Sequence, residues 1–135
     1  ILNEGFESGT LPSGWTTGGN ANWYASSSNP YSGNYSARSG VINHSQSTYL
    51  QRNVSYTGTR TISFYYRVSS ESGYDYLRFY INGNLYNYLS GESGWLYFST
   101  TYYGTGNVTL RWEYSKDNVV SSGSDAAWID NVVVN

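Results

Sequence analysis

Apolar side chains recur at every second position through the middle of this chain. In RTISFYYRV at 60 to 68, Ile62, Phe64, Tyr66 and Val68 fall on one side while Thr61, Ser63, Tyr65 and Arg67 fall on the other, the alternation of a strand with one buried face. YLRFYI at 76 to 81 repeats the device, with Leu77, Phe79 and Ile81 inward and Tyr76, Arg78 and Tyr80 outward. The step Asn82-Gly83-Asn84 suits a tight hairpin, because Asn-Gly readily takes positive φ angles, and it leads into LYNYL with Leu85 and Leu89 expected to return to the core. WLYFST directs Leu96 and Phe98 inward, and VTLRWEY alternates Val108, Leu110, Trp112 and Tyr114 against Thr109, Arg111 and Glu113. Upstream, Leu50 and Val54 share a parity opposed to Tyr49, Gln51 and Asn53.

The ends are less regular. ILNEGF predicts a short edge strand, followed by an excursion from Thr16 to about Val41 with extended pieces around Asn22 to Ala25 and Tyr35 to Ser39. Ser115 to Asp125 reads as a polar loop, and AAWIDNVVV closes the chain. No segment holds helical apolar spacing for roughly ten positions, so no substantial helix is predicted. Short strands joined by Gly-rich turns predict an all-β fold, a two-layer antiparallel β-sandwich of jelly-roll type, with first and last strands adjacent.

Composition narrows the function. The chain has 135 residues, room for one domain spanning 1 to 135, and is expected to be a piece of a longer polypeptide. Its net charge is -2 and its Lys and Arg residues are scattered singly, so there is no basic footprint for nucleic acid. No apolar run approaches the roughly 20 residues of a helical membrane span. With no cysteine, a disulfide framework and a thiol nucleophile are both excluded.

The closing strand carries a break in parity. Ile129, Val132 and Val134 all suit the core, yet Ile129 and Val132 have opposite parity, so a β-bulge is predicted at Asp130-Asn131. Glu4, Glu7 and Asp130 bring carboxylates to the two ends, with Asn3 or Asn131 as amide donors. A hard cation such as Ca²⁺ takes six to eight oxygens, and such a set could supply several. The same residues also serve as ordinary turn and edge carboxylates, because no contiguous calcium-loop motif is present.

The outward positions Tyr65, Arg67, Tyr76, Arg78 and Tyr80, with Tyr97, Arg111 and Glu113, would form one aromatic and guanidinium surface if their strands share a sheet. Tyr offers a ring face and a hydroxyl, and Arg a rigid donor fork, so the surface suits sugars or an extended peptide. Cross-strand Tyr-Arg pairs also stabilise a sheet without any ligand. Trp23 is expected to plug the sandwich edge, and Trp15, Trp112 and Trp128 to belong to the core. His44, the sole histidine, is expected in a solvated turn, and nothing brings Glu71, Asp75, Glu92, Glu113 or Asp117 to the separation of a glycosidase pair.

NEGFESGTLPSGWT at 3 to 16, NWYASSS, YSGNYSARSG, TISFYYRV and AAWIDNVVV, in that order, resemble the bacterial relatives of MAM domains. These include anchor-associated jelly-roll modules and the cleaved-adhesin modules of gingipain-type proteases. The resemblance implies a calcium-stabilised, non-catalytic jelly roll carried in secreted or cell-surface proteins. It places Glu7 and Asp130 at the family's Ca²⁺ positions, with Asn131 where a second aspartate often stands. The expected function is an extracellular accessory module that binds a polysaccharide or supports adhesion. The alternative is a structural or cell-surface-protein-binding domain beside a protease or glycosidase domain.

Overall fold

The computed structural model describes residues 1–118 and 125–135, and its elements are all strands: β1 Leu2–Glu4, β2 Trp15–Gly19, β3 Tyr24–Ser26, β4 Ser36–Arg38, β5 Ser47–Ser69, β6 Tyr76–Ile81, β7 Asn84–Leu89, β8 Leu96–Ser115 and β9 Ala126–Val134. The loop expected from Ser115 to Asp125 therefore lies partly outside the described residues.

One long ribbon organises the rest. β5 and β8 pair antiparallel without a register break from Ser47 opposite Ser115 to Tyr66 opposite Leu96. Beside its Ser47–Ser115 end lie β2 on the β5 side and β6 then β7 on the β8 side. Beside its Tyr66–Leu96 end lie β9, β4 and β3, with β1 on the last residues of β9. The sheet is thus continuous but curls, so its two halves face each other as the layers of an antiparallel jelly-roll sandwich. Gly104 sits opposite Gly58 in the ribbon, where a Cβ would stand 2.7 Å from the Tyr56 ring. The missing side chain lets that ring lie against the backbone.

Alternation places the core as expected. Ile62, Phe64 and Val68 meet Leu77, Phe79, Ile81, Leu110 and Trp112, all fully or nearly fully buried. Phe64 contacts Phe79 at 4.7 Å and Trp112 at 5.4 Å between ring centroids, so a strand that borders β9 packs onto strands of the other layer. Each buried aromatic contributes roughly 1.5–3 kcal/mol by leaving water. Trp23 plugs this core as expected.

The ends meet. Leu2, Asn3 and Glu4 pair with Val134, Val133 and Val132, and the Ile1 ammonium donates to the Val134 carbonyl at 2.9 Å. The bulge is present: between Ser63 and Tyr65, β5 advances two residues while β9 passes from Val133 to Asp130, and Asn131 has a φ of 48°.

Two leucines depart from expectation. Leu85 is 49% exposed, because an extra residue in β7, Tyr86, shifts the register so that Leu85 pairs with the outward Tyr80 while Leu89 pairs with the inward Leu77. Leu96 pairs with the buried Tyr66 but stands where β8 has no further neighbour, and is 41% exposed. Trp128 is buried, yet on the outer face of β9 rather than in the core.

Candidate functional site

The outer face of the β2–β5–β8–β6–β7 layer carries a row of polar and aromatic side chains set by register. Tyr80 lies opposite Arg111 and Arg78 opposite Glu113, and across the ribbon Arg111 faces Gln51 and Glu113 faces Tyr49. Arg111 organises the row. Its Nε donates to Gln51 Oε1 at 2.9 Å, its guanidinium carbon sits 3.9 Å from the Tyr49 ring centre, and its Nη1 lies 3.7 Å from Glu113 Oε1. Tyr49 can lie flat because its neighbour in β2 is Gly18, where a Cβ would come within 2.7 Å of the Tyr49 hydroxyl. A depression of about 320 Å³ opens here between Gln51, Tyr80, Gly83, Thr109, Arg111 and Glu113.

Arg78 is more committed. Its guanidinium lies 4.7 Å from the Tyr76 ring centre and donates to Ser115 Oγ at 2.8 Å. Tyr76 in turn meets the exposed Tyr88 edge to face at 6.0 Å. The face therefore offers ring surfaces at Tyr80, Tyr76 and Tyr88 on β6 and β7, and beside them on β8 and β5 an amide, a guanidinium and a carboxylate, the last two with charges that offset. That chemistry accepts a neutral polyhydroxylated ligand better than an ion.

Tyr65 and Arg67 are elsewhere, which corrects the expectation of one surface. Tyr76 pairs with Ser115, which pairs with Ser47, eighteen positions before Tyr65 on the same strand. At about 3.3 Å per residue that is about 60 Å of ribbon, curled onto the other layer. There Tyr65 stacks against Tyr31 at 3.6 Å and meets Tyr97 at 4.9 Å, and Tyr31 meets Trp95 edge on. Arg67 lies 3.8 Å from the Trp128 ring centre and 5.9 Å from that of Trp95, and its burial lowers its pKa from the ordinary range. Arg38 also approaches Trp128 and donates to the Tyr24 hydroxyl. This half is thus a packed cation–aromatic layer with Tyr31, Tyr97 and Leu96 exposed. Arg67 serves to cover Trp128.

At the joined ends, the turn at residues 31–35 cradles two carboxylates. Glu7 accepts from the Asn34 and Tyr35 amides at 2.7 and 3.1 Å; Asp130 accepts from those of Ser32 and Asn131 at 3.2 and 2.8 Å. Ser32 Oγ donates to Asn131 Oδ1 at 3.1 Å. Asp130 is fully buried, and burial, reinforced by the negative charge of Glu7, raises its pKa to about 6 despite the amide donors. Among the described residues no Lys, Arg or His pairs with either carboxylate. An all-oxygen donor set lacking a protein countercharge fits a hard cation. Glu4 bonds locally instead, accepting from the Phe6 amide, and Asn3 stands on the exposed side of β1. The bulge explains the assembly: it turns Asn131 toward the 31–35 turn while Asp130 stays in the strand.

A second acidic group lies apart from the first. Glu71, Asp75 and Asp117 each present a carboxylate oxygen within 4.8 Å of the others, a spacing that could chelate a divalent cation. Glu71 and Asp75 are close in a turn, but Asp117 joins them only because β6 pairs with the end of β8. Sequence spacing therefore offers no signal for the third member. His44 is exposed, as expected.

No protein-family model and no curated protein sequence matches the chain. Solved structures do match over nearly its whole length. The CBM22-1 xylan-binding domain of Xyn10C from Paenibacillus barcinonensis is 19% identical, with 99% of this chain and 92% of that one covered at a TM-score of 0.68. TmCBM61, solved in complex with β-1,4-galactotriose, is 18% identical, with 97% and 93% covered at 0.65. The K3 cleaved adhesin domain of Lys-gingipain from Porphyromonas gingivalis is 16% identical, with 100% and 98% covered at 0.71. The similarity holds for the fold of jelly-roll carbohydrate-binding and adhesin modules as a group, and does not single out the MAM-like branch.

Proposed function

We propose that this chain is a single non-catalytic module of an extracellular protein, and that it binds a neutral polysaccharide across the outer face of the β2–β5–β8–β6–β7 layer. The observation that carries this reading is the Tyr49–Arg111–Gln51–Glu113 array beside Tyr80, a pre-positioned set of ring face, donors and acceptors around a 320 Å³ depression. Tyr80 supplies the stacking ring, Arg111, Gln51 and Glu113 engage hydroxyls, and Tyr76 with Arg78 extends the surface toward β7. The likeness in fold to xylan-binding and galactotriose-binding modules supports this reading. Calcium is the second part of the proposal: Ca²⁺ sits at Glu7 and Asp130, with Asn131 and Ser32 as added oxygens, and ties the first strand to the last.

Titration calorimetry of the Ca²⁺-supplemented protein against a panel of soluble polysaccharides that includes xylan and galactan tests the ligand. Binding that Arg111→Ala weakens is the expected result. A folded protein that binds none of the panel overturns it.

A second reading rests on the other layer. Tyr31 and Tyr97, exposed on either side of the Tyr65 ring, form an aromatic patch suited to a cell-surface protein or a neighbouring domain. Adhesion through this patch would survive Arg111→Ala and be lost in Tyr97→Ala.

A further inference from the structure

The turn between β5 and β6 is held from several directions. The Asp75 amide donates to the Glu71 carbonyl at 3.1 Å, Ser70 Oγ donates to the Asp75 carbonyl at 2.9 Å, and the Gly91 amide donates to Ser70 Oγ at 3.1 Å. The Asp117 amide donates to Asp75 Oδ1 at 2.9 Å, and the Asp117 carbonyl accepts from the Ser45 amide at 2.7 Å. The Asp75 carboxylate and the backbones that carry Glu71 and Asp117 are thereby held together.

Hydrogen bonding inside this group is incomplete. Asp75 is fully buried, and its Oδ2 has no hydrogen-bond partner; Glu71 Oε1 is a second buried oxygen without one. A buried carboxylate oxygen left unpaired is costly, and a neighbouring like charge adds to the cost. Burial and the mutual repulsion of the group raise the pKa of both Glu71 and Asp75. Lys116 is near, but its ammonium is bonded to Asp125, which also accepts from the Tyr114 hydroxyl.

We propose that Glu71, Asp75 and Asp117 bind a calcium ion, a second site separate from the one at the chain ends. Oxygens on one Ca²⁺ at 2.3–2.6 Å can stand no farther apart than about 4.6–5.2 Å, and these lie within 4.8 Å of one another. Mg²⁺ keeps several waters and strict octahedral geometry, which a fully buried Asp75 opposes. The ion takes the unpaired oxygens of Asp75 and Glu71 and clamps the β5–β6 turn to the end of β8. Since β6 begins at Tyr76, directly after Asp75, the clamp also secures one margin of the proposed binding face.

Calcium titration by calorimetry on chelator-stripped protein, with folding of each variant verified by circular dichroism, tests the proposal. Wild type is expected to bind two ions, and Asp75→Asn, Glu71→Gln and Asp130→Asn one each. Asp75→Asn keeps an oxygen for the Asp117 amide, and the half-buried Glu71 gives a variant with less effect on folding. In chelator Asp75→Asn is expected to melt at or above wild type, and in millimolar Ca²⁺ below it, a crossing that a purely structural carboxylate would not produce. Calcium stoichiometry unchanged in both Asp75→Asn and Glu71→Gln overturns the site. One ion in wild type, lost in Asp75→Asn and kept in Asp130→Asn, supports this site and overturns the terminal one. One ion lost only in Asp130→Asn does the reverse.

Discussion

Arg111 holds its guanidinium 3.9 Å from the ring centre of Tyr49, although the two residues are not directly opposite in the ribbon: Tyr49 pairs with Glu113, and Arg111 with Gln51. The diagonal contact, together with the Nε bond to Gln51, fixes the plane of the guanidinium. Lysine has neither the plane nor the fork. Arg111→Lys is expected to weaken polysaccharide binding by about 1–2 kcal/mol with little change in melting temperature. Calorimetry and thermal melting on the same samples check both halves.

The two aromatic surfaces should separate by mutation. Tyr80→Ala removes an outward ring beside the depression and is expected to cost about 1 kcal/mol or more of binding. Tyr65→Ala, on the other layer, should leave affinity for the same polysaccharide unchanged. Equal losses in both variants would mean that the curled sheet does not divide them as described.

Asp130 predicts a pH dependence for the calcium-free protein. Its folded pKa of about 6 lies above the unfolded value near 4, so below about pH 4 both states are protonated and there is no penalty. Between about pH 4 and 6 the unfolded state ionises while the buried acid of the folded state stays protonated, so stability falls by about 2–3 kcal/mol and levels off above about pH 6. Urea unfolding in excess chelator between pH 4 and 7 should show a fall that is smaller by this amount in Asp130→Asn than in wild type, since Glu71 and Asp75, whose pKa values are also raised, contribute to both.

Phe64 touches both Phe79 and Trp112 and is 1% exposed, so Phe64→Ala leaves a cavity between the layers. A loss of about 3–5 kcal/mol is expected in urea unfolding. A loss under about 1 kcal/mol would contradict the packing of the layers described here.

The inward face of β5, β6 and β8 was legible in the chain, because side chains alternate along a strand and parity alone sorts Ile62 and Phe64 from Ser63 and Tyr65, but the short strands expected within 47–68 and 95–114 run on as the single strands β5 and β8. The bulge at Asp130-Asn131 was legible for the same reason: two apolar residues of opposite parity cannot both face the core without an extra residue between them. Parity does not say which outward residues become neighbours. Tyr65 and Tyr76 both point out, but the curl of the ribbon assigns them to different layers, and Tyr86 in β7 reverses Leu85 through a register shift that no local pattern marks. Asp75 and Asp117, forty-two positions apart, meet only through the pairing of β6 with β8. Local sequence determined which way the side chains of β5, β6 and β8 point, since alternation there depends on one strand. The tertiary structure decided the orientation of Leu85 and what each side chain meets, since those depend on how distant strands pair and bend.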